Sequence, residues 1–205
     1  MSRHEKEREL YRMALAQGGV FTLDQARRYG IDRKGASYRV RTGLWERLAR
    51  GIYRLSFAPL SQDEDLVRIA LWASSYRGLV AFSHETALAL HGLSDLLPDR
   101  YHLTVPRGFS RKPRWQVVLH RRDLAPADTE ERPGYRVTTP LRTLLDVAET
   151  SRVPEEQLWL AVHQALDRGL VSQKRLEAAL PGLSVRARAR LLRALRSHAP
   201  GAVSA

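Results

Sequence analysis

Apolar residues along the first fifty positions recur at helical spacing and then switch to alternation. Leu10, Met13, Ala14 and Leu15 fall on one side of a helix over residues 3–17, with charges elsewhere, and Gly18-Gly19 stops it. Val20-Phe21 is a short extended piece. Thr22 caps a second helix running through Ala26 to about Tyr29, and Gln25, three residues on, completes a capping box. Gly30-Ile31 makes a tight turn pinned by an apolar residue. Asp32 then caps a third helix to about Thr42, closed by Gly43. Residues 44–48 and 52–55 alternate on either side of Ala49-Arg50-Gly51, which predicts a hairpin. Two short helices joined by a Gly-containing turn and followed by a hairpin describe a winged helix-turn-helix.

Beyond Phe57 the pattern changes. Phe57-Ala58-Pro59-Leu60-Ser61 reads as a junction, with Pro59 breaking and Ser61 capping. Residues 61–75 form a strongly apolar helix, and Ser83 caps another through His91, ended by Gly92. Residues 101–105, 115–120 and 135–138 read as strands. Thr139-Pro140, an N-cap followed by Pro at the first helical position, opens a helix to Glu149. Three more helices cover 154–168, 172–180 and 184–198. The fold class expected is α+β: a winged helix-turn-helix at 1–57, a mixed domain with a small sheet and several helices at 60–198, and a flexible tail at 199–205.

Charge sharpens this picture. The 205 residues carry 34 Lys and Arg against 22 Asp and Glu, a formal charge of +12, and most of the cations are Arg. Residues 1–57 hold thirteen basic and six acidic side chains and so supply +7 of the total. Such a balance points to nucleic acid. On the third helix Ala36 and Val40 mark the core side, Lys34, Tyr38 and Arg41 fall opposite, and Ser37 and Thr42 lie at the edges. An exposed face of this kind donates to purine edges and phosphates. The expected DNA-binding set is Arg33, Lys34, Ser37, Tyr38 and Arg41 from that helix with Arg47, Arg50 and Arg54 from the hairpin. Arg33 and Arg39 lie nearer the core side, and Tyr38 fits packing on the wing equally well. The last helix carries five arginines and no acid over 185–198. Its Arg186, Arg190 and Arg193 gather opposite a stripe of Leu191, Leu192 and Leu195. They read either as secondary polyanion contacts or as partners for Glu155, Glu156 and Asp167. Arg107-Gly108-Phe109-Ser110-Arg111-Lys112 is a second, smaller basic patch.

The chain has no Cys, which excludes disulfides, thiolate nucleophiles and cysteine zinc sites. It has no apolar run near the ~20 residues of a membrane span and no secretory signal, so a cytoplasmic protein is expected. His84 and His91 lie seven apart rather than in a HExxH pattern, and no metal or cofactor is expected. Ser83-His84 with Asp95 or Asp146 could be drawn as a triad, but Ser83 is better read as a cap and Asp146 as a partner of Arg142 or a cap for a neighbouring element.

Several stretches carry a family likeness. Gly19-Val20-Phe21-Thr22 with the Ala26 to Gly30 stretch resembles the start of AbiEi-type antitoxins of bacterial type IV toxin–antitoxin (abortive infection) systems. Arg41-Thr42-Gly43-Leu44-Trp45-Glu46-Arg47-Leu48-Ala49-Arg50-Gly51-Ile52-Tyr53 is similar to the end of that family's winged domain. Ser83-His84-Glu85-Thr86-Ala87-Leu88-Ala89-Leu90-His91-Gly92-Leu93 and Thr138-Thr139-Pro140-Leu141-Arg142-Thr143-Leu144-Leu145-Asp146 extend the likeness to about residue 150. The resemblance implies a repressor that binds double-stranded operator DNA at inverted repeats and autoregulates its operon. It also implies a C-terminal domain that counters a nucleotidyltransferase-like toxin without stable contact. The absence of long heptads points to a monomer in solution that pairs on DNA. The alternatives are an enzyme in the C-terminal domain (a nuclease or toxin-modifying transferase) and a one-component transcription regulator without a toxin.

Overall fold

Helix α1 (Arg3–Leu15) starts at a capping box in which Ser2 Oγ accepts from the Glu5 amide and Glu5 accepts from the Ser2 amide. Leu10 and Ala14, four apart, are fully buried on it, whereas Leu15 turns to solvent. Next come β1 (Val20–Thr22), α2 (Leu23–Arg28), α3 (Arg33–Arg41), β2 (Trp45–Ala49) and β3 (Ile52–Leu55). Thr22 and Asp32 cap their helices through Gln25 and Gly35, as their spacing predicts. The strands form an antiparallel sheet in the order β1-β3-β2, with a bulge between Arg47 and Ala49. Its core is aromatic: Phe21 meets Trp45 edge-on at 4.7 Å, and Tyr53 packs beside both. This is a winged helix-turn-helix. Gly19 is required in it twice over: its φ is +81°, and a Cβ there would come within 2.4 Å of the Ala58 Cβ.

In the computed structural model residues 2–74, 78–150 and 152–196 are described, so the tail expected at 199–205 lies outside the described residues. The first compact unit comprises residues 1–78 with 131–136. It therefore continues past the junction read at 57–61. Helix α4 (Glu64–Ser74) packs on β1 and β3, burying Leu66, Val67, Ile69, Leu71 and Trp72. Within the same unit Tyr135 donates to Asp63 at 3.1 Å.

The second unit comprises 79–130 and 137–205. Its elements are β4 (Ala81–Phe82), α5 (His84–His91), β5 (Tyr101–Val105), β6 (Val117–Arg121), β7 (Thr129–Arg132) and β8 (Tyr135–Thr138). Then follow α6 (Pro140–Glu149), α7 (Glu155–Asp167), α8 (Gln173–Ala179) and α9 (Val185–Arg196). The mixed sheet runs β6-β5-β4-β8-β7, with β4 antiparallel to β5 and parallel to β8, and β5 parallel to β6. Residues 131–136 of the β7–β8 hairpin count with the first unit. The short β4 and the all-polar β7, Thr-Glu-Glu-Arg, carry no hydropathy signal. Strand β6 starts two residues later than predicted because Trp115 and Gln116 sit at φ +52° and +56°.

Leu88, Leu144, Val147, Leu158, Ala161, Val162 and Leu191 build the helical core of this unit. Arg190 corrects the expectation of a surface cation on α9. It is 3% exposed. Its guanidinium donates to the Val147, Ala148, Thr150 and Val153 carbonyls and pairs with Glu155 at 2.7 Å. The last carbonyls of α6 have no partners within the helix, and the five-donor fork supplies them. Arg190→Met should therefore lower stability by about 3–5 kcal/mol, since it strands buried acceptors. Arg193→Met, at an exposed pair with the same Glu155, should cost under about 1 kcal/mol. Urea unfolding of both variants checks this, and equal midpoints would contradict the buried cap.

Candidate nucleic-acid interface

Helix α3 is held by its buried side. Ala36 is fully buried and Arg39 is 6% exposed. The Arg39 guanidinium donates to Glu7 of α1 at 2.7 and 3.0 Å and to the Gly35 carbonyl at 3.2 Å, and stacks over Trp45 of β2 at 5.4 Å. Tyr11 donates to the same Glu7 oxygen. The opposite side presents Arg33, Lys34, Ser37, Tyr38 and Arg41, all exposed. Tyr38 does not pack on the wing; its ring lies under the Arg41 guanidinium, 5.7 Å from centroid to carbon. Gly30, at φ +82°, makes the turn that sets α3 against α2.

On the hairpin, Arg47 and Arg50 are exposed. Arg33, Lys34, Arg41, Arg47 and Arg50 have no carboxylate partner among the described residues. Arg54 departs from its predicted role. It lies on the central strand, 8% exposed, paired to Glu46 at 2.7 Å and to Glu64 at 3.5 Å. Strand alternation does point it away from the aromatic core, but α4 covers that side, so the position is buried rather than solvated.

In the second unit Arg186 and Arg193 are exposed on α9, unlike Arg190. His84, His102 and His120 form one network with Glu85, while His91 lies apart with its Nε2 2.7 Å from the Thr138 carbonyl. His84, at φ +51°, stacks on His120 with ring centroids 3.5 Å apart. His102 Nδ1 lies 3.1 Å from His120 Nε2 and 2.8 Å from Glu85 Oε2. Ser83 occupies the N-cap position of α5, yet its hydroxyl does not cap. It accepts from Thr104 at 2.8 Å and lies 2.9 Å from His84 Nδ1. Among the described residues no three His, Asp or Glu are arranged to hold a metal. Asp146 is engaged by Arg142, as its spacing predicts, and also by Arg122 at 3.2 Å. The sequence pattern gave no reason to single out Arg122, since nothing local links residue 122 to 146.

Burial holds the His84 imidazole down at about 2, helped by the facing His120 and His102 and by Arg142 and Arg122. Burial and His102 hold His120 at about 4. Burial pushes the Glu85 carboxyl up, but the hydrogen bond and charge of His102, its own backbone amide and the His120 charge together outweigh it and leave the group below its ordinary value. Both imidazoles titrate near 6.5 in the unfolded chain. Unfolding therefore takes up protons below that pH. Their contribution to stability is complete above pH 6.5 and is lost progressively as the pH falls towards 4. His84 alone sets a slope of about 1 kcal/mol per pH unit. A melting temperature that is level from pH 8 to 7 and falls steadily from 6.5 to 5, with the fall reduced in His84→Asn, is the expected outcome. A level profile to pH 5 would contradict it.

No helix among the described residues is long and apolar enough to cross a membrane. Residues 8–56 match the family model described as transcriptional regulator, AbiEi antitoxin. Residues 78–197, more than half of the chain, match that of the AbiEi antitoxin C-terminal domain. No curated protein matches the chain. Among solved structures the chain is similar to the RV2827C protein from Mycobacterium tuberculosis, with a TM-score of 0.58 at 21% identity over 92% of this chain and 75% of that one. At that identity the likeness concerns the fold. A winged unit matching the family's regulator and a second unit matching its C-terminal domain occur here in one chain, which belongs to the AbiEi antitoxin family of DNA-binding transcriptional regulators.

Proposed function

We propose that this chain represses its own operon and counteracts a nucleotidyltransferase-like toxin in the cytoplasm, without a stable complex between the two proteins. The observation that carries the repressor reading is the array of exposed, unpartnered cations on α3 and the hairpin. A major groove about 12 Å wide admits one helix. With α3 in it, Lys34, Arg41, Ser37 and Tyr38 reach base edges, and Arg33 at the first turn reaches phosphate. Arg47 and Arg50 meet the backbone or the minor groove from the wing. Arg41 stacked on Tyr38 arrives with part of its side-chain freedom already removed. Arg186 and Arg193 supply secondary polyanion contacts; Arg54 and Arg190 supply none. Two monomers pair on inverted half-sites.

An enzymatic second unit has less support. Ser83, whose hydroxyl lies beside the His84 imidazole, is fully buried and hydrogen-bonded to its neighbours.

The test is a gel-shift titration against the chain's own upstream region with unrelated DNA as competitor. Neutralising ~6 phosphates should cost about three orders of magnitude in affinity between 50 and 200 mM salt. Arg41→Ala and Lys34→Ala should each weaken operator binding by about 1–3 kcal/mol while leaving the melting temperature nearly unchanged. Equal losses on operator and random DNA would reduce both residues to phosphate contacts. Wild-type binding no tighter to the operator than to competitor would overturn the repressor reading.

A further inference from the structure

The connection from β5 to β6, taken with β6 and the residue after it, is strongly cationic. Between Pro106 and Arg122 it carries Arg107, Arg111, Lys112, Arg114, Arg121 and Arg122 and no acid; Asp123 follows. Arg107, Lys112 and Arg114 are all exposed, with Arg107 at 81% of its side chain and its guanidinium 3.8 Å from the exposed Asp123.

The segment is tied down rather than loose. Phe109 is buried at 2% exposure, and its amide closes a turn on the Pro106 carbonyl. The Arg107 amide donates to Asp123 at 3.2 Å. The Val117 amide donates to Arg114, and the Tyr101 amide to Gln116. At the far end Arg122 is clipped through one nitrogen to the buried Asp146, while its side chain remains 44% exposed. Its other donors have no partner among the described residues.

Among the described residues strand β6 is the edge of its sheet and pairs only with β5. Its outer backbone groups face no strand, over a length of roughly 15 Å for five residues. Edge lysines or arginines commonly keep sheet edges from pairing. Here three exposed cations lie in the connection, outside the ladder, where that role does not require them.

We propose that this edge is a nucleic-acid site separate from the winged helix-turn-helix, and that its ligand is single-stranded RNA. Phosphates lie along Arg107, Lys112, Arg114 and Arg122. The outer N–H and C=O groups of β6 face the base edges, which a single strand leaves free and a duplex hides. The proposal does not rest on the operator reading, because none of its residues belongs to the first unit.

The test uses the full chain and a labelled mixed-sequence RNA of about 20 nucleotides, at 50 and 200 mM salt. The triple variant Arg107→Gln/Lys112→Gln/Arg114→Gln changes only exposed side chains. It should bind the RNA at least tenfold more weakly and lose about two from the slope of log affinity on log salt. Its operator binding and melting temperature should stay within error. Lys174→Gln/Arg175→Gln, on the exposed side of α8, controls for bulk charge and should bind RNA as the parent does. Arg107→Lys/Arg114→Lys, which keeps the charge at both positions, should retain binding. RNA affinity within twofold of the parent in the triple Gln variant overturns the proposal. So does a loss confined to duplex DNA, or an equal loss of RNA binding in Arg41→Ala, which would assign the RNA to the winged unit.

Discussion

A guanidinium buried in α3 joins three elements of the winged unit. Arg39 reaches Glu7 on α1 by two hydrogen bonds and covers Trp45 on the first wing strand. A buried pair of this kind contributes little net stability, because desolvation offsets most of the attraction. Its effect is geometric. It fixes the rotation of α3 about its axis, so the side carrying Lys34, Tyr38 and Arg41 faces outward with no acid to neutralise it. Were Arg39 also at the surface, α3 would be ringed by cations and no one side would be singled out for a groove.

The same side chain is used inside the protein elsewhere. Arg54 is enclosed between the sheet and α4, compensated by Glu46 and Glu64. Arg190 closes the C-terminus of α6 and receives Glu155. In each case a planar fork of five donors meets several acceptors at once, which a Lys could not do from one position. The formal charge of +12 therefore overstates the field that nucleic acid meets at these places, while α3, the hairpin and the β5–β6 connection each present exposed cations.

The two later stretches that resemble AbiEi antitoxins meet in space. Parallel pairing of Phe82 with Val137 brings the ends of β4 and β8 to the same edge of the sheet, and α5 and α6 start there side by side. His84 and Glu85 lie in the first turn of α5 and meet His102 of β5 and His120 of β6, and Arg142 with Asp146 lies on α6. Charge from Arg142 and Arg122 reaches His84, so the histidine network and the Asp146 cluster form one polar seam within an otherwise apolar unit. His84, Glu85, His102 and Asp146 are buried in it, while His120 is half-buried and Arg122 reaches solvent, which fits a role in setting how the sheet and helices join.

Local signals in the chain were enough for the winged unit and for the helices of the second. Capping residues, Gly turns and the change from helical to alternating spacing act over a few residues, and Thr22, Asp32, Thr139 and Gly92 do what their positions predict. The exposed set on α3 was legible for the same reason: one turn of helix determines which side chains share a face. What the sequence could not decide depends on partners far along the chain. Arg54 and Arg190 look like surface cations until α4 and the end of α6 cover them. Ser83 looks like a cap until Thr104 takes its hydroxyl, and β7 looks like a polar loop until β8 pairs with it. Periodicity reports which way a side chain points. Whether water or another element stands there is settled only when the elements pack.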